Sequence, residues 1–338
     1  MEKYKIKKIN ASQRLDKFLT NNLEDITRSQ IQKLIKAGDV LVNEKKVSSH
    51  YKLKEGDVVA VEECGTDKKL SFGCPKLSFS KKIKDDSIIN NILVAEASDY
   101  LVINKPAGLI VHGAEHIKEY TLVDWLMKKY PKIRGVGEDL IRPGIVHRLD
   151  KEVGGLMVVA KTQESFNSLK KQFQKRKVKK EYIALVYGKI EKESDEINFP
   201  IKRSNKGYKM AAIPAPSPNP SPASSSRERG AILNKAVERD AITEFEVEKK
   251  YINYTLLKVK IKTGRTHQIR VHMLAYGHPV VGDELYSTKR TREKNAKINL
   301  GRVFLVASRL SFYDLKNELQ NFKIDLPKEL KVLLKKVK

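Results

Sequence analysis

Residues 156–160 read LMVVA, five apolar side chains in a row. Strict alternation would mark a strand with one wet face. A continuous run of this length marks a strand buried on both faces. A chain holding such a strand must cover its sheet from both sides, so helices have to flank it. Further strand patterns are ILVAEA (92–97), DYLVIN (99–104), EYIALVYGKI (181–190) and YTLLKVKI (254–261). Helical patterns lie among them. Thr121–Tyr130 sets Leu122, Trp125 and Leu126 on one side, and Thr162 caps a pattern carrying Phe166, Leu169 and Phe173. Pro327 opens a last helix over 327–338 with Leu330, Leu333, Leu334 and Val337 on a single stripe. The expected fold class is α+β, with a mixed, mainly antiparallel sheet flanked by helices.

Two stretches break this pattern. Residues 64–90 are polar, lysine-rich and irregular, and read as a linker. Residues 211–238, AAIPAPSPNPSPASSSRERGAILNKAVE, are rich in Pro and Ser at their front and lack the apolar surface to order themselves. They read as a surface insertion, since added loop length costs a core little. Ahead of the linker, residues 11–63 form a small unit of their own. Leu15, Phe18 and Leu19 give one short amphipathic helix. Thr27 and Gln30 make a capping-box pattern ahead of Ile31, Leu34 and Ile35, and Gly38 stops that second helix. VLVNEKKV (40–47) and EGDVVAVE (55–62) supply short strands. Arg14, Arg28, Lys33 and Lys36 stud this unit and suit a face that holds phosphates. Residues 91–338 make the second, larger domain.

The chain carries 67 Lys and Arg against 41 Asp and Glu, a net charge of +26 over 338 residues. Such an excess draws polyanions, with nucleic acid first and an acidic membrane surface second. Seven of the residues 170–180 are Lys or Arg, one dense basic stretch. The two cysteines, Cys64 and Cys74, exclude a disulfide framework or a cysteine-rich zinc site and fit a reducing cytosol. MEKYKIKKIN at the start has no apolar signal region, and no run is long enough to span a bilayer. A soluble cytoplasmic protein without membrane partners is expected, and nothing demands more than a monomer. There is no G-x-x-x-x-G-K-[ST] loop, no G-x-G-x-x-G fingerprint and no serine nucleophile elbow. His112, His116, His147, His267, His272 and His278 fall into no metal spacing with carboxylates. No cofactor and no metal is expected, so a reactive group has to be a side chain.

VHRLDKEVGGLMVVAK, residues 146–161, gathers such groups directly before the buried run. In an extended segment Arg148 and Asp150 point to the same side. A guanidinium near a carboxylate favours its charged form. An ionised aspartate can act as a nucleophile or stabilise positive charge at a sugar carbon. Gly154 and Gly155 let backbone approach closely just beyond. A structural Asp–Arg salt bridge explains the same residues equally well, and this stretch alone does not decide.

Four stretches in order carry a wider pattern: VINKPAGLIVH (102–112), GIVHRLDKEVGGLMVVAKT (144–162), KKEYIALVYG (179–188) and KTGRTHQIRVHMLAYGHPVVGDELY (262–286). Together they resemble the RluA family of pseudouridine synthases over most of residues 92–312. RLDKFL with TRSQIQKLIKAGDVLVN resembles the S4 RNA-binding fold. With that module in front, the arrangement is similar to bacterial large-subunit rRNA synthases of the C or D type. The resemblance implies an isomerase that converts uridine to pseudouridine in 23S rRNA, or in a large-subunit precursor, without a cofactor.

It implies Asp150 as the catalytic aspartate and Tyr182 as an active-site tyrosine stacked on the uracil. Arg148 helps the extruded nucleotide. Arg270 pairs with Asp150, and is preferred over Arg265 because it ends the short strand pattern QIR (268–270). Arg265, Lys105 and His147 join Arg148, Arg14, Arg28 and Lys33 as expected RNA contacts, with His147 an orienting or packing residue rather than a proton shuttle. The chain departs from the family's pattern where Val153 and Gly154 replace hydroxyl-bearing residues, and at Val306, where many relatives have His. From a different class comes a non-catalytic RNA-binding or ribosome-assembly protein on the same scaffold, with Asp150 kept as a salt bridge. A DNA-binding protein fits the charge but not the motifs.

Overall fold

A computed structural model describes residues 2–6, 10–23, 28–61, 92–113, 119–139, 141–204, 209–212 and 240–337. The linker expected at 64–90 and residues 213–238 of the expected insertion lie outside them. The chain divides into two compact units, residues 1–84 with 134–143, and residues 85–133 with 144–338.

In the first unit α1 (Leu15–Asn22) buries Leu15, Phe18 and Leu19, the three positions that its spacing put on one face. α2 (Arg28–Ala37) buries Ile31 and Ile35 in the same core, and Gly38 closes it at φ +95°, with its N–H on the Leu34 carbonyl. Thr27 of the capping-box pattern lies outside the described residues. β2 (Val40–Val42) and β3 (Val58–Val61) pair antiparallel, and Val40, Val42, Val59 and Val61 complete the core. A further strand, β1 (Glu2–Lys5), pairs with the other edge of β3. Its EKYK sequence has no apolar run, and sequence reading did not find it.

In the second unit β6 (Gly154–Ala160) is buried at every residue. One edge pairs antiparallel with β5 (Tyr100–Lys105), which pairs in turn with β4 (Leu93–Glu96). The other edge meets β13 (Leu305–Tyr313) in the only parallel strand pairing among the described residues. Beyond β13 the sheet continues antiparallel through β7 (Lys179–Tyr187), β12 (Tyr254–Ile261), β11 (Thr243–Lys250) and β8 (Ser194–Ile197). β14 (Leu319–Lys323) pairs with the outer part of β13. The sheet is mixed and mainly antiparallel, as expected. Gly155, at φ +126°, lies where a Cβ would run into the backbone of Ala307, so glycine is what lets β6 and β13 meet.

Helices flank this sheet. α3 (Leu122–Lys129) starts at a capping box of Thr121 and Asp124. α4 (Gln163–Gln174) is capped by Thr162 and packs on β6 and β13, with Phe166 and Leu169 inward. α5 (Gln268–Ala275) stands where the QIR pattern predicts a strand. Gln268, Ile269, Arg270, Val271, His272 and Met273 are all buried. A helix surrounded on all sides has no amphipathic period to read, so a short branched stretch passes for a strand. α6 (Lys289–Ile298) is highly polar and was also missed; a Thr288–Thr291 capping box starts it, and buried Asn295 ties it to the core. α7 (Lys328–Lys336) sets Leu330 into the core, with Leu333 and Leu334 beside it. Between β8 and β11 a hairpin pairs β9 (Ile201–Arg203) with β10 (Met210–Ala212). Ala211 and Ala212, expected to begin the insertion, are instead strand residues. Among the described residues no helix is long and apolar enough to cross a membrane.

Candidate active site

The charged loop before β6 opens into a cleft of about 1020 Å³, a volume suited to a small organic ligand or nucleotide unit. Six of the expected site residues line it: His147, Arg148, Asp150, Tyr182, Arg265 and Arg270. The Asp150 side chain keeps 17% of its surface exposed, at the cleft wall. Its Oδ2 lies 3.4 Å from Nη1 of Arg270, and its Oδ1 lies 3.9 Å from Nε2 of His267.

Arg270 reaches this place because α5 carries it into the core, where it is 2% exposed. A buried guanidinium needs partners for its fork of donors. Asp283, fully buried, supplies them: Nε donates to its Oδ2 at 2.6 Å and Nη2 to its Oδ1 at 3.0 Å. Asp283 Oδ1 also accepts the N–H groups of Leu285 and Tyr286, which fixes the carboxylate independently of Arg270. Only Nη1 then remains, and it faces Glu152 at 3.1 Å and Asp150 at 3.4 Å. Burial acts to lower the Arg270 pKa, but the bonds and charge of Asp283, with Asp150 and Glu152 behind them, raise it above the ordinary arginine value. The guanidinium is a fixed cation.

His267 sits at the start of α5 in the left-handed region, φ +55°, uncommon for a residue with a side chain. Its Nδ1 is 2.8 Å from the Tyr286 hydroxyl, which also accepts the Met210 N–H. When Nδ1 accepts the Tyr286 proton, Nε2 carries the ring proton toward Asp150. Burial holds the His267 pKa below its ordinary value, although Asp150 pulls the other way.

Tyr182 enters the cleft from the start of β7 and is 6% exposed. Burial, then the charge of Asp150, pushes its phenol pKa well above the ordinary value, so the hydroxyl keeps its proton at neutral pH. Phe173 of α4 supplies an aromatic wall. Lys180 lies with its ammonium 5.4 Å over the Phe173 ring, and burial lowers its pKa to about 8. Arg148 is exposed and has no ion pair among the described residues. Arg265 donates from Nε to the Asp240 carbonyl at 3.1 Å. Arg176, Lys179 and Lys260 extend the basic lining.

One expected RNA contact is corrected. Lys105 is fully buried, and its ammonium donates to the carbonyls of Leu109 (2.8 Å), Pro106 (2.9 Å) and Lys151 (3.3 Å). It ties the 106–109 loop to the loop bearing Asp150 and cannot reach a phosphate; burial lowers its pKa to about 7. His147 stacks on Phe173 at 4.7 Å, and its Nε2 accepts the Val158 N–H at 3.1 Å. Burial, with Lys180 nearby, depresses its pKa to about 3, so the ring is a neutral packing element.

In the first unit Arg14 is bidentate to the buried Asp16, at 2.8 and 3.0 Å. The side chains of Arg28 and Lys33 lie outside the described residues. The departures at 153 and 154 are accounted for by packing. Val153 is buried at 2% exposure, and a Cβ at Gly154 would stand 3.0 Å from Arg302 Nη2 and 3.1 Å from the Lys105 carbonyl oxygen. Sequence reading missed Asp283, Tyr286 and the placement of His267. Nothing in HPVVGDELY separates the buried Asp283 from the exposed Glu284 beside it, so no sequence signal marked it.

Comparison with known proteins gives the chain its class. The profile of the RNA pseudouridylate synthase family matches residues 99–275, which hold Asp150, Tyr182 and Arg270, and the S4 domain profile matches residues 13–59. An uncharacterized RNA pseudouridine synthase of Aquifex aeolicus is 37% identical, over 94% of this chain and 92% of its own. The ribosomal large subunit pseudouridine synthase C of Vibrio parahaemolyticus is 31% identical, over 95% and 91%. Among solved structures, human RNA pseudouridylate synthase domain containing 1 is 25% identical with a TM-score of 0.52, covering 70% of this chain and 83% of its own. The chain belongs to the RNA pseudouridylate synthase family. It is an isomerase that acts on RNA, with an S4 domain at its N-terminal side.

Proposed function

We propose that this protein converts uridines of 23S rRNA, in the large ribosomal subunit or its precursor, to pseudouridine, and that it does so in the cytoplasm with Asp150 as the reacting side chain. In this isomerisation the bond from ribose C1′ to uracil N1 breaks and a bond from C1′ to C5 forms. C5 gives up a proton and N1 gains one, so atoms and charge balance without a cofactor. The target uridine leaves its stack and enters the cleft, with Arg148 at the rim against the RNA backbone. Tyr182 sets its ring against the uracil face, a contact worth roughly 1–3 kcal/mol. The Asp150 carboxylate then meets the sugar at C1′, as a nucleophile or as the counter-charge to a developing cation. Arg270 keeps it aimed.

The observation that carries this reading is an accessible carboxylate held by an arginine that is itself immobilised by Asp283. The names of relatives that act on the large ribosomal subunit and the net positive charge support the choice of RNA. Mapping pseudouridines in large-subunit rRNA from cells lacking this chain tests it. The expected result is the loss of defined sites, restored by the wild type and not by Asp150→Ala. Sites that stay intact without the protein, or that Asp150→Ala restores, would leave an RNA-binding or ribosome-assembly role instead.

A further inference from the structure

A second groove lies at the other end of β7 from Tyr182. The β11–β12 turn, Lys189 and the last turn of α7 border a shallow, open groove of about 950 Å³. From Tyr182 to the end of β7 at Tyr187 the strand runs roughly 17 Å at about 3.3 Å per residue, and Lys189 lies two residues further on. Four lysines line the groove, Lys189, Lys249, Lys250 and Lys335, and no carboxylate does. Lys250 is held by Glu193 at 2.6 Å. Lys249 has its ammonium 5.0 Å over the ring of Tyr251. Lys189, Lys249 and Lys335 have no ion pair among the described residues.

Lysines on a surface are ordinary, and a lysine in the last turn of a helix is favoured by the helix dipole. The floor is what sets this place apart. Tyr251 and Ile252 form an aromatic and apolar ledge beneath the charges, and Ile252 is 74% exposed. Three lysines without an ion pair, set around a half-buried ring and the exposed Ile252, suit a chain that alternates phosphates with flat bases. Single-stranded RNA carries a phosphate and a flat base at every nucleotide, which is the combination this lining can meet.

We propose that this groove is a second RNA-binding site, which takes an unpaired flank of the RNA whose uridine occupies the Asp150 cleft. Phosphates lie against Lys189, Lys249 and Lys335, and a base packs on the exposed Ile252, beside the Tyr251 ring that carries the Lys249 ammonium. The proposal rests on the large-subunit rRNA reading above and adds a site that a short target loop does not reach.

The test is a triple variant, Lys189→Gln, Lys249→Gln and Lys335→Gln, in the full chain. The probes are a large-subunit rRNA stem-loop carrying the target uridine and the same stem-loop with unpaired flanks. Binding is followed by fluorescence anisotropy across a salt series, and turnover by tritium release from uridine C5. For the flanked RNA the variant should bind about tenfold more weakly, with a log–log salt slope shallower by about 2 for the three lost phosphate contacts. Affinity and turnover on the bare stem-loop should not change. A control triple at exposed Lys132, Lys289 and Lys316 should weaken flanked-RNA binding less. Equal losses from both triples, or none from the groove triple, would overturn the proposal. So would a groove triple that binds RNA normally but loses adhesion to anionic vesicles or to an acidic protein. Absence of turnover by the wild type would count against the isomerase reading, while the binding comparison stands without turnover.

Discussion

Arg270 and Asp283 meet edge to edge, with two N–H···O bonds at 2.6 and 3.0 Å between buried side chains. The geometry leaves one guanidinium nitrogen unused by the pair, and that nitrogen is the one facing Asp150. An anchor in the core thus sets the position of a carboxylate at the surface. Arg270→Lys keeps the charge but lacks the fork, so it cannot hold Asp283 and face Asp150 together. Turnover should fall by about 100-fold through misplacement of Asp150, with RNA affinity nearly unchanged in a binding titration. Asp283→Asn should in addition cost roughly 3–5 kcal/mol of stability in urea unfolding, since it leaves a buried cation short of a partner.

Lys105 separates a structural from an RNA-binding role. Its three carbonyl bonds connect the 106–109 loop to Lys151, next to Asp150. Lys105→Met should lower turnover and stability and leave the salt dependence of RNA binding as it is. A phosphate contact at this residue would instead show as a log–log slope shallower by about 0.7–0.9.

Stability should respond to acid through His147. Its folded pKa of about 3 lies below the ordinary value of 6.5. Below pH 6.5 the unfolded chain takes up a proton that the folded ring refuses, so this contribution is full above that pH and is lost as pH falls toward 3. The slope is at most about 1.4 kcal/mol per pH unit. His147→Gln, which can still accept the Val158 N–H, should flatten the stability profile between pH 6 and 4 relative to the wild type, as read by urea unfolding at each pH.

Gly155 joins the two halves of the sheet. Gly155→Ala places a Cβ against the Ala307 backbone at a φ of +126°. We expect a loss of roughly 2–5 kcal/mol in urea unfolding, from backbone strain and overpacking together.

Much of this molecule was legible in the sequence, and the boundary is physical. β6 announced itself because a strand buried on both faces has no polar residues to hide it, and α3 and α4 because Thr121 and Thr162 cap stripes of apolar residues. β1 was silent because an edge strand of alternating lysines carries little pattern. α5 was misread because burial on every side erases the helical period. That error touched the site directly: Arg270 was preferred to Arg265 as the end of a strand, yet it reaches Asp150 from a helix. Asp283 lies 13 residues from Arg270 and 133 from Asp150 in sequence, so only the folded chain brings the three together. Lys105 shows the converse. A lysine in a basic protein reads as a phosphate contact until the structure places its ammonium among carbonyls.

The central claim is that the Asp150 carboxylate performs the isomerisation. Large-subunit rRNA labelled with tritium at uridine C5, incubated with wild type and with Asp150→Ala, tests it most directly. The account predicts tritium release by the wild type and background counts from the variant, with both proteins binding the RNA equally well. Release by the variant at the wild-type rate, or none from either protein on RNA that both bind, would contradict it.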